Sequence, residues 1–212
     1  MGAKDIRIEP ISAEAANEHV KKWHYSGKVV HNSSLHLGAF MDGVLGGVMS
    51  FGPPLDKHKV LPLVEGTKWN GMLELNRMAF SELLPKNSES RAISVAMRLI
   101  RKHYPHVGWV ISFADATQCG SGTIYRASGF LLTQIKENAT LRRDPKTGRV
   151  MQNMTAFTSG CEAEFRTWPK LKGYQIRYVM LLKPGLRLTV PVIPYSDLDA
   201  LDFPDGVRHK LR

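Results

Sequence analysis

The sequence predicts an α/β domain: a mixed, mostly antiparallel sheet flanked by helices on both faces. Three observations lead there. Segments of strand character and segments of helical periodicity alternate along most of the chain, an order that lays helices against a sheet. One segment, "VGWVISFAD" at 107–115, is almost continuously apolar, as a strand buried on both faces must be. Hydrophobic residues are 43% of the 212, enough for a core without disulfide staples.

The elements follow in order. "IRIEPI" is a short first strand stopped by Pro10. Ser12 is placed to cap a helix from about Ala13 to Trp23, with Ala16, Val20 and Trp23 on one side. "WHYSGKVVHNSS" is a polar loop. Leu35–Met41 and Val44–Phe51 are the arms of a hairpin, joined by the tight-turn pair Asp42-Gly43. A long connection leads to the strand "MLELNRMAF". The helix "RAISVAMRLIRKHYP" comes next, with Ala92, Val95, Ala96 and Leu99 as a stripe broadened by Ile93, Met97 and Ile100. Ser88 or Ser90 is its expected cap, and Glu89 favours its positive end. After "VGWVISFAD" come a glycine-rich turn, "ATQCGSG", a short helix at about 124–127, and the strand "FLLTQIK". A basic loop holds "RRDPKTGR", and "YQIRYVMLL" is the last clear strand. Residues 1–183 therefore read as one domain with a basic insertion at about 136–172, and 184–212 as an irregular, proline-containing tail.

Charge narrows the partners. The chain carries +10, with 29 Lys and Arg against 19 Asp and Glu. Between Gln134 and Lys183 ten basic residues face four acidic ones, a net +6. Such a field concentrates polyanions, although a solvated basic surface has the same composition. Arg142, Arg143, Lys146, Arg149, Lys170 and Lys172 are the candidate phosphate contacts. Trp69, Tyr104, Trp109 and Trp168 could stack on bases, with Trp109 better suited to the core. Cys119 and Cys161 are too few for a disulfide framework or a structural zinc site; Cys161 reads as a packing residue. No apolar run reaches the ~18 residues of a membrane helix, and the N-terminus lacks a secretory apolar region. The expectation is a cytoplasmic protein with no membrane partner. Its oligomeric state stays open, a homodimer included.

Two resemblances carry more. From 73 to 135, a strand, a polar loop, a basic helix, an apolar strand and "IYRASGF" stand in the order of the GNAT acyltransferase fold. That family cradles the acetyl-CoA pyrophosphate in a glycine-containing loop before the basic helix. Here the loop is "LLPKNSESRA", without glycine and with Glu89, which argues against acetyl-CoA. Over about 20–130, "WHYS", "LELNRMAF", "SES", "SFAD" and "GTIYRAS" together resemble the Mom family of phage DNA-modification proteins. The resemblance implies a GNAT-like fold and conversion of adenine N6 in double-stranded DNA to a carbamoylmethyl (acetamido) derivative that blocks restriction. It implies an iron ion held by His24, Tyr25 and Asp115, an essential Tyr125, and Ser90 at the pocket. Where relatives carry Gly-His, this chain has Cys119-Gly120, so no role passes to that position.

The residues themselves leave two readings each. His24 and Tyr25 are an aromatic pair ending a helix, or ligands. Imidazole, phenolate and carboxylate suit iron, whereas zinc would recruit the cysteines. Glu74 and Arg77 are a structural ion pair, or a proton acceptor for the adenine amine and a bidentate anion holder. Asp115 caps a turn, or sits where α/β proteins bind ligands, at the carboxyl end of a central strand. Tyr125 is a tied-down core tyrosine, or faces a pocket together with Asp115 across the glycine turn. Catalytic candidates are thus Tyr25, Glu74, Arg77, Ser90, Asp115 and Tyr125. A coenzyme A-dependent N-acetyltransferase acting on a small amine or protein, and a non-catalytic DNA-binding module, are the rival functions. The donor of the transferred group is not legible.

Overall fold

The structure, a computed structural model, describes residues 2–117 and 120–201. Seven strands form the main sheet: β1 (Arg7–Pro10), β2 (Leu35–Met41), β3 (Val44–Gly52), β4 (Met72–Phe80), β5 (Trp109–Asp115), β6 (Leu131–Glu137) and β9 (Tyr174–Leu181). Their order is β1-β2-β3-β4-β5-β9-β6. All neighbours are antiparallel except β4 and β5. Helix α1 (Ala13–Trp23) covers one face, where Ala16 and Val20 pack on Val48 and Ala79. Helix α3 (Ser88–His103) covers the other, packing among Met49, Phe51, Leu75, Val110 and Ala114. No helix is long and apolar enough to cross a membrane among the described residues.

Local chemistry sets the boundaries. Ser12 accepts from the Ala15 N–H at 3.1 Å and starts α1 where expected. Asp42 and Gly43 both take positive φ, 51° and 80°, which matches the right-handed twist of the β2–β3 hairpin. Helix α3 departs from expectation twice. Its cap is Asn87, at φ 71°, while Ser88 and Ser90 lie inside the first turn and donate back to the carbonyls of Pro85 and Asn87. Its buried line is Ala92, Ile93, Ala96, Met97 and Ile100, with Val95 and Leu99 only half-buried. The seven apolar residues of this helix crowd into 92–100, so periodicity could not choose between adjacent stripes; the sheet did. Trp23, expected beside Val20, is exposed.

Strands β4 and β5 meet only briefly. Met72, Leu73 and Glu74 pair with Trp109, Val110 and Ile111, and beyond them the strands run on to Phe80 and Asp115 unpaired with each other. Their carboxyl ends therefore part. Ser112, fully buried in the opening, reaches the Leu75 carbonyl at 3.3 Å and the Tyr125 hydroxyl at 2.8 Å.

The region expected as a basic loop is a small folded unit. Strands β7 (Leu141–Arg143) and β8 (Val150–Gln152) form a hairpin, followed by α5 (Asn153–Thr158) and α6 (Glu162–Thr167). Met151, Ala156, Phe165 and Trp168 form its own core, with Cys161 against it as expected. The tail after β9 is mostly irregular yet packed: Val64 bridges Leu188, and Tyr195 on α7 (Tyr195–Asp199) donates its hydroxyl to the Phe130 carbonyl. Pro204 lies outside the described residues.

The glycine turn has a steric cause. Gly122 sits at φ 83° before α4 (Thr123–Ala127), and a Cβ there would meet the Tyr178 ring at 2.7 Å and the Tyr125 ring at 3.0 Å. Those two rings stack at 5.0 Å. Gly122→Ala therefore combines a left-handed backbone with a clash, and is expected to cost about 2–4 kcal/mol in denaturant unfolding; a loss below about 0.5 kcal/mol would refute this account.

Candidate active site

Glu74 and Arg77 are three residues apart on one strand, and alternation alone would send them to opposite faces. A bulge prevents this. Ser50 pairs with Arg77 and Phe51 with Leu75, which leaves Asn76 as the extra residue of β4. Leu75 packs towards α3, while Ala79 packs beneath α1. The bulge thus brings Glu74 and Arg77 together on the α1 face. His24 caps the carboxyl end of that helix, and Tyr25 follows it.

The loop after α1 is pinned over this spot. Arg77 donates from Nε to the Lys28 carbonyl at 2.8 Å and from Nη1 to the Asn76 carbonyl at 2.7 Å. Ser33 Oγ donates to Asn76 Oδ1 at 3.1 Å, and Asn32 to the Pro53 carbonyl at 3.1 Å. Gly52 is required beneath it, since a Cβ there would lie 2.6 Å from the Asn32 carbonyl. Arg77 is first an anchor for the loop; two of its donors are spent on backbone.

Burial sets the protonation states. Burial pushes the Glu74 carboxyl up to about 7, against the opposing pulls of an Asn76 hydrogen bond and the Arg77 charge. Among the described residues Glu74 and Arg77 do not close into an ion pair, which is why the burial cost prevails. Burial, with Arg77 nearby, lowers His24 to about 4, so its ring is neutral at pH 7. The His24 and Tyr25 rings lie 4.4 Å apart, and the Tyr25 side chain is half exposed at the cleft. A carboxyl that titrates near pH 7 beside a fixed cation can take and return a proton at neutral pH.

Tyr125 and Ser90 lie on the α3 side of the sheet, and Asp115 at the end of β5. The Tyr125 ring packs against Phe130 and Tyr178, and its hydroxyl meets Ser112 on the α3 side of the sheet. Asp115 ends β5, where its Oδ1 accepts from the Thr117 N–H at 3.0 Å as a turn cap does. Ser90 belongs to the first turn of α3. Cys119 lies outside the described residues. Asn76, Ser33 and Ser112 complete the arrangement and were missed. The available signal was a polar residue inside an otherwise apolar strand, Asn76 in "LELNRMAF" and Ser112 in "WVISFAD".

Iron and acetyl-CoA make different demands on the residues present. For iron, His24 Nδ1 accepts from the Ser26 N–H at 3.2 Å, which puts the ring hydrogen on Nε2. Among the described residues no three His, Cys, Asp or Glu side chains gather as a metal centre. His24 and Tyr25 stand side by side, their rings 4.4 Å apart, and Asp115 ends β5. For coenzyme A, the hydroxyls at the start of α3 turn back onto carbonyls, and Glu89 lies in its first turn. A carboxylate there opposes the pull of the helix N-terminus on an anion.

The basic insertion is only partly free. Arg143, Lys146, Arg149, Lys170 and Lys172 are exposed. Arg142 is not available in the same way, because its guanidinium donates to the Trp168 carbonyl at 2.5 Å and lies over the Phe165 ring. Trp168, a stacking candidate, is buried in the small core, and Trp109 is buried as expected. Trp69 stays half exposed.

Two outcomes follow from this geometry. Glu74 has a raised pKa when folded, so folding is favoured by its proton and loses stability as pH rises from about 4.5 through about 7. Glu74→Gln should match wild type at pH 5 and exceed it at pH 8 by up to about 3 kcal/mol; equal differences at both pH values would contradict the buried carboxyl. Arg77→Lys loses the rigid fork that sends Nε and Nη1 to two separate carbonyls and should lose about 2 kcal/mol, seen as faster proteolysis in the 24–34 loop.

Comparison with known proteins agrees with this architecture. A Bacillus subtilis acetyltransferase in complex with CoA superposes with a TM-score of 0.52 at 12% identity, over 84% of this chain and 99% of its own. A provisionally assigned acetyltransferase from Salmonella typhimurium with its cofactor acetyl-CoA gives 0.52 at 12% identity, over 85% and 96%. These likenesses establish the GNAT fold alone. In sequence, the methylcarbamoylase Mom of Escherichia phage Mu is 45% identical over 130 residues, which is 61% of this chain and 54% of that protein. The chain thus spans about half the length of that curated relative. The model of the Mom protein family matches residues 5–197, almost the whole described chain, and this protein belongs to the Mom family.

Proposed function

We propose that this protein is a DNA-modifying transferase of phage type that places a carbamoylmethyl group on adenine N6 and so protects DNA from restriction. Membership of the Mom family supports the reaction class. The single observation that carries the chemistry is Glu74, a half-buried carboxyl at the last pairing of β4 with β5, where loss of water pushes it up to about 7.

The amine lone pair is delocalised into the purine ring, so N6 needs both an activated donor and a base. In this reading the N6–CH2 bond forms as the bond from that carbon to the donor's leaving group breaks. The N6 proton passes to the Glu74 carboxylate. Arg77 holds the covering loop and keeps the charge of Glu74 bearable. Tyr25, exposed beside His24, is placed to line the base. The exposed cations of the insertion hold phosphates without reading sequence. The site of action is the host cytoplasm.

The test is nucleoside mass spectrometry on DNA from cells expressing the protein. Wild type is expected to add a carbamoylmethyl group to deoxyadenosine. Glu74→Gln should lower the yield by about 100-fold or more, and the wild-type rate should climb with pH through about 7. Asp115→Ala and Tyr125→Phe, run alongside, report whether the turn beyond β5 takes part. Unmodified DNA from folded wild type would overturn the reading.

A further inference from the structure

Helix α5 carries two large apolar side chains, Met154 and Phe157, that are 68% and 66% exposed. They are three residues apart on one helix face, while Ala156 between them is fully buried in the small core. Neither contributes to that core, so the fold does not account for their being apolar. The same small unit exposes cations, while α6, packed on α5, adds Glu164 and the Glu162–Arg166 ion pair. Strand β8 runs directly into α5, and the turn ahead of β8 displays Lys146 and Arg149, with Arg143 on β7.

The platform beneath them is firm. Asp144 accepts from the Lys146 N–H at 2.8 Å and from the Thr147 hydroxyl, and so fixes the turn. Arg142 ties the hairpin to Trp168. The whole unit is rooted beside the carboxyl end of β5. The Ala116 N–H donates to the Tyr174 carbonyl there, and Gly173 is squeezed between Thr117 and Leu141. That is the end of the sheet at which β4 and β5 part.

We infer that α5 is a wedge: Phe157 and Met154 enter duplex DNA at the base step beside the target adenine and hold open the space the extruded base leaves. The inference rests on the DNA-modifying reading above. Charge complementarity selects the occupant, since an apolar pair on a unit that also exposes Arg143, Lys146 and Arg149 fits unstacked bases between phosphates. Adenine N6 is paired and stacked in duplex DNA, so an enzyme that acts on it must pay for unstacking. Exposed apolar side chains inserted between bases offset that cost.

The experiment uses the full chain, duplexes with 2-aminopurine at a target adenine, and the variant Met154→Ser/Phe157→Ser. Both residues are exposed, and a melting curve checks that the variant folds. Wild type should raise the 2-aminopurine fluorescence on binding. The variant should keep duplex affinity within about 3-fold, because phosphate contacts dominate it, and lose the rise. Its modification of paired adenine should drop about 10-fold or more, while an adenine in a mismatch, already unstacked, is modified as by wild type. Phe157→Trp should retain activity. Equal activity of variant and wild type on paired DNA would overturn the wedge. So would an equal loss on paired and mismatched DNA, or a change in molar mass showing that α5 joins two copies of the chain. Wild type that modifies no DNA would instead remove the parent reading, and the wedge with it.

Discussion

Asn76 is one residue too many for β4 to stay in step with β3, and the site is a consequence of that misfit. The extra residue rotates the strand so that Glu74 and Arg77 share a face. Its own side chain then holds Ser33, and its carbonyl receives Arg77. Arg77, once turned to that face, reaches the Lys28 carbonyl and fixes the loop that brings Tyr25 to the cleft. A β4 without the bulge would send one of the two charges into the α3 core, where neither could remain ionised.

The same constraint explains an apparent contradiction in the electrostatics. A glutamate beside an arginine ordinarily has a depressed pKa, and here it is raised. Two of the guanidinium donors go to carbonyls, and no ion pair closes between it and Glu74 among the described residues. Desolvation of Glu74 outweighs the Asn76 hydrogen bond and the Arg77 charge, and its pKa rises. The chain tolerates a carboxyl that destabilises it at high pH, which is the kind of cost that functional sites carry.

The second organising feature is the separation of duties between the sheet and the insertion. The parting of β4 and β5 creates an opening lined on one side by Glu74 and bridged by Ser112 and Tyr125 on the other. The insertion contributes cations and an exposed apolar helix from a core of its own. The insertion meets the sheet at its root, near Thr117 and Gly173.

The sequence by itself determined the order and kind of most elements. Apolar alternation, the Ser12 cap and the Asp42-Gly43 turn are local, and local chemistry decides them. The match of "LELNRMAF" and "GTIYRAS" to the Mom family was likewise readable without coordinates. Tertiary structure alone decided which residues meet. Register is a relation between strands, so the bulge that unites Glu74 with Arg77, and leaves Tyr125 with Ser112 on the far face, has no trace in one strand's sequence. The fold of 141–167 escaped notice because its strands are three residues long and its helices six, too short for periodicity to appear. Burial of Trp168 and engagement of Arg142 depend on that hidden core, and charge counting cannot separate an anchored arginine from a free one.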